Sequence, residues 1–325
     1  MRDSRTRLAL ALASLPGVGK RRLRVLLSRA GEATAASARE VADLVRLHGA
    51  GLRLHIDDPR SVERAWQQGE ALADTCRKRG WRLWVLGAPD YPAGLLRLDD
   101  PPALLFVHGP NQPDARPRLA VIGTREPTAW GERTASECAS EVVRAGGVVV
   151  SGLAWGIDTA AHTAAVDAHG CTWATLPAGL DLVFPPSNAA LAGRIVEEGG
   201  ALISEYLPGT RPHPTFFVER DRLQAALSQA VIVIETGLSG GTMHTVRFAR
   251  ALGVPLRAAF PGDVDPSAVA RASDLAEPLQ GTWQLLRDGV ARITPAEAGA
   301  LTRTLAGGEA HADGRRTDAQ GRLFE

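Results

Sequence analysis

The central part of the chain alternates short apolar segments with longer amphipathic ones. The apolar segments are predicted to be strands, and they are Leu119–Ile122, Val148–Val150, Thr172–Leu176, Ala201–Ile203, Val231–Ile234 and Leu256–Ala259. The longer segments are predicted to be helices, and they are 128–145, 158–168, 188–198, 219–228 and 242–252. Buried strands that alternate with helices form a parallel sheet with helices on both faces. The pattern predicts an α/β fold of the Rossmann-like, doubly wound type with a mostly parallel sheet.

A second, helical module is predicted ahead of this domain. The chain has 325 residues, which is enough for two domains. Two helices over 7–30 flank the turn Pro16-Gly17-Val18-Gly19-Lys20, whose glycines leave backbone N–H groups free to bind phosphate. This arrangement resembles a helix-hairpin-helix (SAM-like) module, and a plain helical hairpin is the alternative. We predict a helical module over 1–75, the Rossmann-like domain over 80–296 and a flexible tail over 297–325.

Charge, cysteines and hydropathy restrict the class of protein. The formal net charge is +1, so a surface for nucleic acid would have to be local. The three cysteines, Cys76, Cys138 and Cys171, are far apart, which argues against structural zinc and disulfides and fits a reducing cytosol. No apolar run approaches the length of a membrane span, and the run Leu8–Leu15 is short for a signal peptide. We therefore expect a cytoplasmic protein with no membrane partner.

Small residues follow several of the predicted strands. The segments concerned are 123–128, 151–158, 177–181 and 235–242. A doubly wound sheet binds its ligand at the carboxyl ends of its strands, and glycine-rich turns at helix starts bind phosphates there. None of these loops has the GxGxxG or GxxxxGK[ST] pattern, so neither a dinucleotide cofactor nor a P-loop nucleotide is predicted.

Together these loop motifs resemble those of the bacterial DNA-processing proteins, the DprA or Smf family. The matching segments are Gly123-Thr124-Arg125, Ser151-Gly152-Leu153-Ala154-Trp155-Gly156-Ile157-Asp158, Ala161-His162, Gly179-Leu180-Asp181, Phe184-Pro185, Ser204-Glu205-Tyr206, Phe217 with Arg220-Asp221-Arg222, and Gly240-Gly241-Thr242 with Thr245 and Ala249. The resemblance covers about 80–295, with the family's order and spacing. It implies a homodimer that binds single-stranded DNA without sequence preference and helps to load the RecA recombinase in natural transformation. It implies no cofactor, no metal and no catalytic residue.

The resemblance also suggests which residues contact DNA. Arg125 is the strongest candidate, because a guanidinium after the first strand suits a phosphodiester. One of Arg220 and Arg222 is expected to reach DNA, while the other pairs with a carboxylate. Trp155 and Trp130 are candidates for stacking on bases. The remaining candidates are small or polar loop residues, namely Gly123, Thr124, Ser151, Gly152, Gly156, Gly240, Gly241 and Thr242.

Each of these assignments has a structural alternative. Arg125 could pair with Glu126 or Glu205, and the tryptophans could be packing residues. Asp158 and His162 are expected to be structural at the pocket: Asp158 would cap the helix that follows it, and His162 would brace that turn. Gly240 and Gly241 could instead serve only close packing of helix against strand.

The sequence departs from the family pattern in several places. Asp221 stands where the family has asparagine, and a carboxylate between two arginines could neutralise part of the site. Val218 replaces a proline, and Gly240 and Thr242 replace serines. The winged helix of many family members is not expected here. The end of the chain resembles a sliding-clamp docking peptide through Gln320, Leu323 and Phe324, so the clamp is a possible partner.

A different class of function uses the same type of fold. Nucleotide phosphoribohydrolases have a P-G-G-x-G-T-x-x-E signature, which Ser239-Gly240-Gly241-Thr242 matches in part. The glutamate of that signature aligns with Thr245, and glycosidic cleavage needs a carboxylate. A nucleotide-sensing or nucleotide-hydrolysing protein of this type is the alternative function.

Overall fold

The structure is a computed structural model, and it describes residues 2–52, 54, 58–109 and 115–312. The helices are α1 (Arg2–Ser14), α2 (Lys20–Ala30), α3 (Ala38–His48), α4 (Pro59–Lys78), α5 (Ala129–Arg144), α6 (Ile157–Asp167), α7 (Ala189–Glu197), α8 (Pro214–Ala226), α9 (Gly241–Ala251), α10 (Glu277–Arg287) and α11 (Pro295–Ala312). The strands are β1 (Trp81–Val85), β2 (Leu104–His108), β3 (Arg118–Ile122), β4 (Val148–Ser151), β5 (Thr172–Leu176), β6 (Ala201–Ser204), β7 (Ala230–Val233), β8 (Leu256–Ala258) and β9 (Ala291–Arg292). Short 3₁₀ turns cover Ala93–Arg97, Pro186–Asn188 and Ala272–Asp274.

The chain divides into two compact units. The first comprises Met1–Pro113, Pro177–Leu182 and Leu202–Arg211, and the second comprises Asp114–Leu176, Val183–Ala201 and Pro212–Glu325. This division differs from the predicted boundary near residues 75–80, because β1 and β2 group with the N-terminal helices.

The first unit combines helices α1–α4 with antiparallel strands. Strand β2 lies between β1 and β6, and its register pairs Trp81 with His108 and Phe106 with Ser204. Helices α1 and α4 cross closely at Gly69, where a Cβ would lie 2.6 Å from the backbone nitrogen of Ala11. Glycine is therefore needed at this crossing, because any side chain would push the two helices apart.

The N-terminal hairpin forms as predicted between α1 and α2. Gly17 has a φ of +77°, a left-handed conformation that glycine adopts without strain. Lys20 begins α2, and its Nζ lies 3.7 Å from Oε2 of Glu205 and 4.1 Å from the ring centre of Tyr206. The carboxylate of Glu205 therefore pairs with Lys20.

The second unit is a parallel α/β layer. Its strands lie in the order β5-β4-β3-β7-β8-β9, and all of their pairings are parallel. The chain winds from β3 through β4 to β5 in one direction and then returns to add β7, β8 and β9 in the other. The core under the sheet includes Leu119, Val149 and Ile232, which are fully buried. The predicted doubly wound, Rossmann-like fold class is confirmed.

One predicted helix start in the second unit and the predicted start of the flexible tail are wrong. Helix α8 begins at Pro214 rather than at 219, because His213 caps it and proline is well suited to a first helical position. Residues 297–312 were expected to be a flexible tail, but they belong to α11. Ala298 and Thr302 on α11 are fully buried, and a Cβ on Gly147 would lie 2.6 Å from Cγ2 of Thr302. An apolar stripe at helical spacing explains this order.

The clamp-like peptide with Gln320, Leu323 and Phe324 lies outside the described residues. Within the described ranges, no helix combines the length and the hydropathy needed to span a bilayer.

Candidate functional site

The site lies at the carboxyl ends of β3, β4 and β7, where backbone hydrogen bonds join the three loops that follow these strands. The amide of Thr124 donates to the carbonyl of Glu235 at 2.7 Å, and the amide of Ile157 donates to the carbonyl of Thr124 at 3.1 Å. Gly156 has a φ of +74°, and a Cβ there would lie 2.5 Å from the Thr124 oxygen. This is the position where the strand order reverses, which is where such sheets bind ligands.

A buried carboxylate fixes the start of α5 beside these loops. Glu235 is fully buried, and its carboxylate accepts from the amide of Thr128 at 2.8 Å and from the Thr128 hydroxyl at 2.6 Å. An anion at a helix N-terminus stabilises the first turn. Glu235 was not among the residues predicted from the sequence, although a glutamate directly after a buried strand was a visible signal.

A cleft opens in front of these loops. It is lined by Arg125, Gly152, Ala154, Trp155, Phe184, Pro185, Phe217 and Arg220. The structure therefore brings together four of the predicted residues, namely Arg125, Gly152, Trp155 and Arg220. Phe184 and Phe217 match the family motifs, but no individual role is predicted for them from the sequence.

The rim of the cleft combines a cation with aromatic rings. Arg125 is exposed, and its guanidinium carbon lies 5.3 Å from the ring centre of Phe217. The rings of Phe184 and Phe217 pack in a T-shaped arrangement with 5.6 Å between their centroids. Trp155 is 53% exposed, and its Nε1 donates to Oγ of Ser187 at 3.0 Å. The rim therefore offers a charge for an anion and a flat apolar surface beside it.

Arg220 forms the floor of the cleft and is only 4% exposed. Its Nη1 donates to the carbonyl of Thr175 at 3.2 Å, and its Nε lies 3.3 Å from Oδ1 of Asp221. Arg220 thus has the predicted carboxylate partner and lines the cleft at the same time. Arg222, two residues further along α8, is buried and does not line the cleft.

Asp158 braces the loop between β4 and α6. Its Oδ2 accepts from the amides of Gly152 at 3.0 Å and Ala154 at 3.4 Å. Both amides precede α6, and Gly156 is the residue that caps that helix. The expected helix cap at Asp158 is therefore wrong, and the carboxylate instead holds a loop in which Leu153 has a φ of +58°. Burial raises the pKa of Asp158, and the charge of Arg220 opposes this shift.

His162 and Ser151 have structural roles beneath the cleft. The Nδ1 of His162 lies 2.7 Å from Oγ1 of Thr172, and that hydroxyl donates to the carbonyl of Val149 at 2.9 Å. Burial and the nearby Arg220 charge lower the pKa of His162 to about 3, so the ring is neutral near pH 7. The hydroxyl of Ser151 donates to the carbonyl of Val121 at 2.7 Å, which directs it into the sheet.

The remaining candidates lie at other places on the second unit. Trp130 packs against the core of that unit, as the packing alternative predicts. Gly240, Gly241 and Thr242 stand at the start of α9 and do not line the cleft. The alternative of close helix–strand packing at Gly240 and Gly241 is wrong, because a Cβ at either position would meet no atom within 4 Å.

The cleft is narrow. The space inside it is about 10 Å³, which is about the room that a single water needs. A ligand that contacts both Arg125 and Trp155 therefore lies along the rim and is not enclosed.

Comparison with known proteins shows which family the chain resembles. The model of the family described as DNA recombination-mediator protein A matches residues 82–302. The chain belongs to this family. The resemblance found in the sequence to DprA and Smf proteins is thereby confirmed.

Relatives and solved structures agree with this assignment. A DNA processing protein DprA of Mycobacterium tuberculosis is 38% identical over 273 residues, which are 79% of this chain and 66% of that protein. The DprA of Bacillus subtilis is 32% identical over 64% of this chain and 70% of its own length. The X-ray structure of DprA from Streptococcus pneumoniae superposes with a TM-score of 0.68 at 26% identity, covering 91% of this chain and 95% of that one.

A DprA structure from Helicobacter pylori, described in terms of a single-stranded DNA binding mode, superposes with a TM-score of 0.59 at 29% identity. It covers 70% of this chain and 96% of the other. The chain spans just under two thirds of the M. tuberculosis relative and 41% of the Smf protein of Synechocystis.

Proposed function

We propose that this chain binds single-stranded DNA without sequence preference along the rim of the cleft, with Arg125 on a phosphate and Trp155 on a base. Membership of the DNA recombination-mediator protein A family supports this proposal. The description of the H. pylori relative as binding single-stranded DNA supports it further.

The juxtaposition of Arg125 and Trp155 carries the proposal. The two residues line one cleft, and both are exposed. A guanidinium binds a phosphodiester by charge and by paired hydrogen bonds. An exposed indole stacks on any base, since every base has a flat π face. Neither interaction distinguishes one base from another, which is why we expect no sequence preference.

Single strands should bind better than duplex for a geometric reason. The bases of a duplex are stacked on one another, so an indole at the rim reaches a base only after the duplex is opened. The narrow floor of the cleft accepts little more than a water. A flexible strand can follow the rim and present a phosphate and a base in turn.

The test is fluorescence anisotropy of a labelled oligo-dT strand at about 50 and 200 mM salt. Arg125→Ala should weaken binding and lower the salt slope by about one unit. The matched control is Arg133→Ala, because Arg133 is exposed on α5 of the same unit but does not line the cleft. An Arg125→Ala protein with an unchanged slope would contradict the assignment of Arg125 to a phosphate.

The same titration distinguishes the alternative function. A folded protein that does not bind oligo-dT but binds a mononucleotide would indicate nucleotide sensing. Release of ribose phosphate from that mononucleotide would indicate hydrolysis. Thr245, which aligns with the glutamate of the phosphoribohydrolase signature, is almost fully buried. We therefore propose that the chain is not an enzyme.

The assembly partners follow from the family and are part of the proposal. We expect the chain to help load RecA on incoming or exposed single strands, and to act as a homodimer. Strand exchange by RecA with and without this protein tests the first, and sedimentation equilibrium tests the second. Docking on the sliding clamp through Gln320, Leu323 and Phe324 requires that Leu323→Ala with Phe324→Ala abolishes capture by the clamp.

A further inference from the structure

A cluster of buried charges lies directly under the cleft floor. Arg220, Asp221 and Asp158 are between 4% and 6% exposed, and His162 is fully buried. With both carboxylates ionised and His162 neutral, the cluster holds two negative charges and one positive charge. Buried charges of this kind are costly unless each is paired and hydrogen-bonded.

The two carboxylates are not equally stabilised. Asp158 accepts hydrogen bonds from two backbone amides, which favour its ionised form. Asp221 accepts one hydrogen bond, from Nε2 of Gln224 at 3.1 Å. Arg220 Nε lies 3.3 Å from its Oδ1, but the geometry is not that of a hydrogen bond. The ionised form of Asp221 therefore has fewer hydrogen bonds to stabilise it than that of Asp158.

Three elements place charged groups around Asp221. Arg220 lies on α8 itself, Asp158 on α6, and Arg125 on the loop after β3. Burial raises the pKa of Asp221 to about 7; Arg220 and Arg125 lower it, and Asp158 raises it. The neighbouring strand β5 has no titratable side chain.

Neither His162 nor His244 accounts for this titration. The pKa of His162 is about 3, so its ring stays neutral near pH 7. Helix α9 packs against α8 and carries His244, Arg247 and Arg250. Burial and the charge of Arg247 lower the pKa of His244, and Arg247 donates to that ring at the surface. His213 caps α8 and is exposed, so it needs a control of its own.

We propose that Asp221 is a positioning residue that makes the affinity of the cleft for single-stranded DNA depend on pH. When it is ionised, its carboxylate holds Arg220 and weakens the attraction of Arg125 for a phosphate. This inference rests on the proposed function. Proton uptake by Asp221 leaves one negative and one positive charge under the cleft, so Arg125 at the rim attracts a phosphate without opposition from below. The phosphate in turn disfavours the ionised carboxylate, so binding and proton uptake strengthen each other.

The test is the same anisotropy titration at constant ionic strength between about pH 6 and about pH 8, on either side of the Asp221 titration. Oligo-dT is the probe, because neither thymine nor the phosphodiester titrates in this range. Wild type should bind oligo-dT about 5- to 10-fold more tightly at the lower pH, since the uptake of one proton changes the affinity by at most tenfold per pH unit. Asp221→Asn should bind equally at both, with about the affinity of the wild type at the lower pH.

Two controls exclude trivial causes. Asp263→Asn removes an exposed carboxylate of the same unit and should retain the pH dependence, which excludes a simple effect of net charge. His213→Asn should retain it as well. If Asp221→Asn failed to fold, carbon-13 NMR of the Asp221 carboxyl in wild type would replace it. A midpoint near neutral pH that rises when oligo-dT is added supports the proposal, and an ordinary aspartate midpoint overturns it.

The outcomes separate the two proposals. Wild type that does not bind oligo-dT at either pH overturns the proposed function itself. Wild type that binds through Arg125 with equal affinity at both pH values overturns only the role of Asp221. The same holds if Asp221→Asn keeps the full pH dependence of wild type.

Discussion

The guanidinium of Arg220 fills the space that a side chain at position 152 would occupy. A Cβ on Gly152 would overlap Nη1 of Arg220, lie 2.5 Å from its Cζ and lie 2.7 Å from Oδ2 of Asp158. Gly152 also donates its amide to that same Asp158 oxygen. Position 152 therefore requires glycine if the arginine is to stay beneath the cleft.

Gly152→Ala should destabilise the fold by about 1–3 kcal/mol, because an added methyl in a filled site forces its neighbours to move. We also expect weaker binding of oligo-dT, since Arg220 would leave the cleft floor. Urea unfolding measures the first effect. The control is Gly193→Ala on α7, where a Cβ meets no atom within 4 Å and alanine should stabilise the helix by about 0.5–1 kcal/mol. Equal stability of Gly152→Ala and wild type would contradict the packing described here.

Trp155 and Trp130 should respond in opposite ways to substitution. Trp155 is 53% exposed, so Trp155→Ala should cost about 1–3 kcal/mol of DNA binding with little loss of stability. Trp130 packs against the core, so Trp130→Ala should lower the free energy of unfolding. Anisotropy and urea unfolding on both variants provide the comparison. The stacking role would be lost if Trp155→Ala bound oligo-dT as wild type does.

Gly240 and Gly241 should also differ, although they are adjacent and both exposed. Gly240 has a φ of +119° and a ψ of −174°, a region that is open almost exclusively to glycine. Gly240→Ala should therefore cost about 1–3 kcal/mol. Gly241 begins α9 without a positive φ, so Gly241→Ala should be close to neutral. Thermal unfolding of the two variants side by side checks this, and equal midpoints would argue against the backbone explanation.

The buried cluster predicts how stability depends on pH. His162 has its pKa lowered from 6.5 to about 3, so the unfolded state binds the proton more readily and acidification through this range destabilises the fold. Asp221 has its pKa raised from 3.8 to about 7, so the folded state binds the proton more readily and acidification through that range stabilises the fold. The two effects oppose each other between about pH 4 and 6.5.

Asp221→Asn removes the second effect. Its advantage in stability over wild type should be greatest above about pH 7 and should shrink toward about pH 4, by at most about 1.4 kcal/mol per pH unit. Urea unfolding of both proteins at several pH values measures this difference. Parallel stability curves would show that Asp221 titrates alike in the folded and unfolded states.

The sequence predicted the elements around the site because their signals are local. Strand β5 is predicted with its observed limits, and β3, β4, β7 and β8 within one residue at each end, whereas the two-residue strand β9 is not predicted. Apolar runs and helical periodicity depend on neighbours in the chain. The start of α8 was missed by five residues, since the apolar pattern used for the prediction does not report a cap at His213.

The sequence by itself determined the doubly wound sheet, the edge that carries the site and the family to which the motifs belong. Arg125, Gly152, Trp155 and Arg220 could be selected because each belongs to a motif at that edge. Only the tertiary structure decided that Asp158 braces a loop, that Glu235 fixes α5, and that Arg220 is buried beside Asp221. Glu235 and Thr128 lie far apart in the chain, and the energies of all three contacts depend on burial and on nearby charges, which only the folded chain creates.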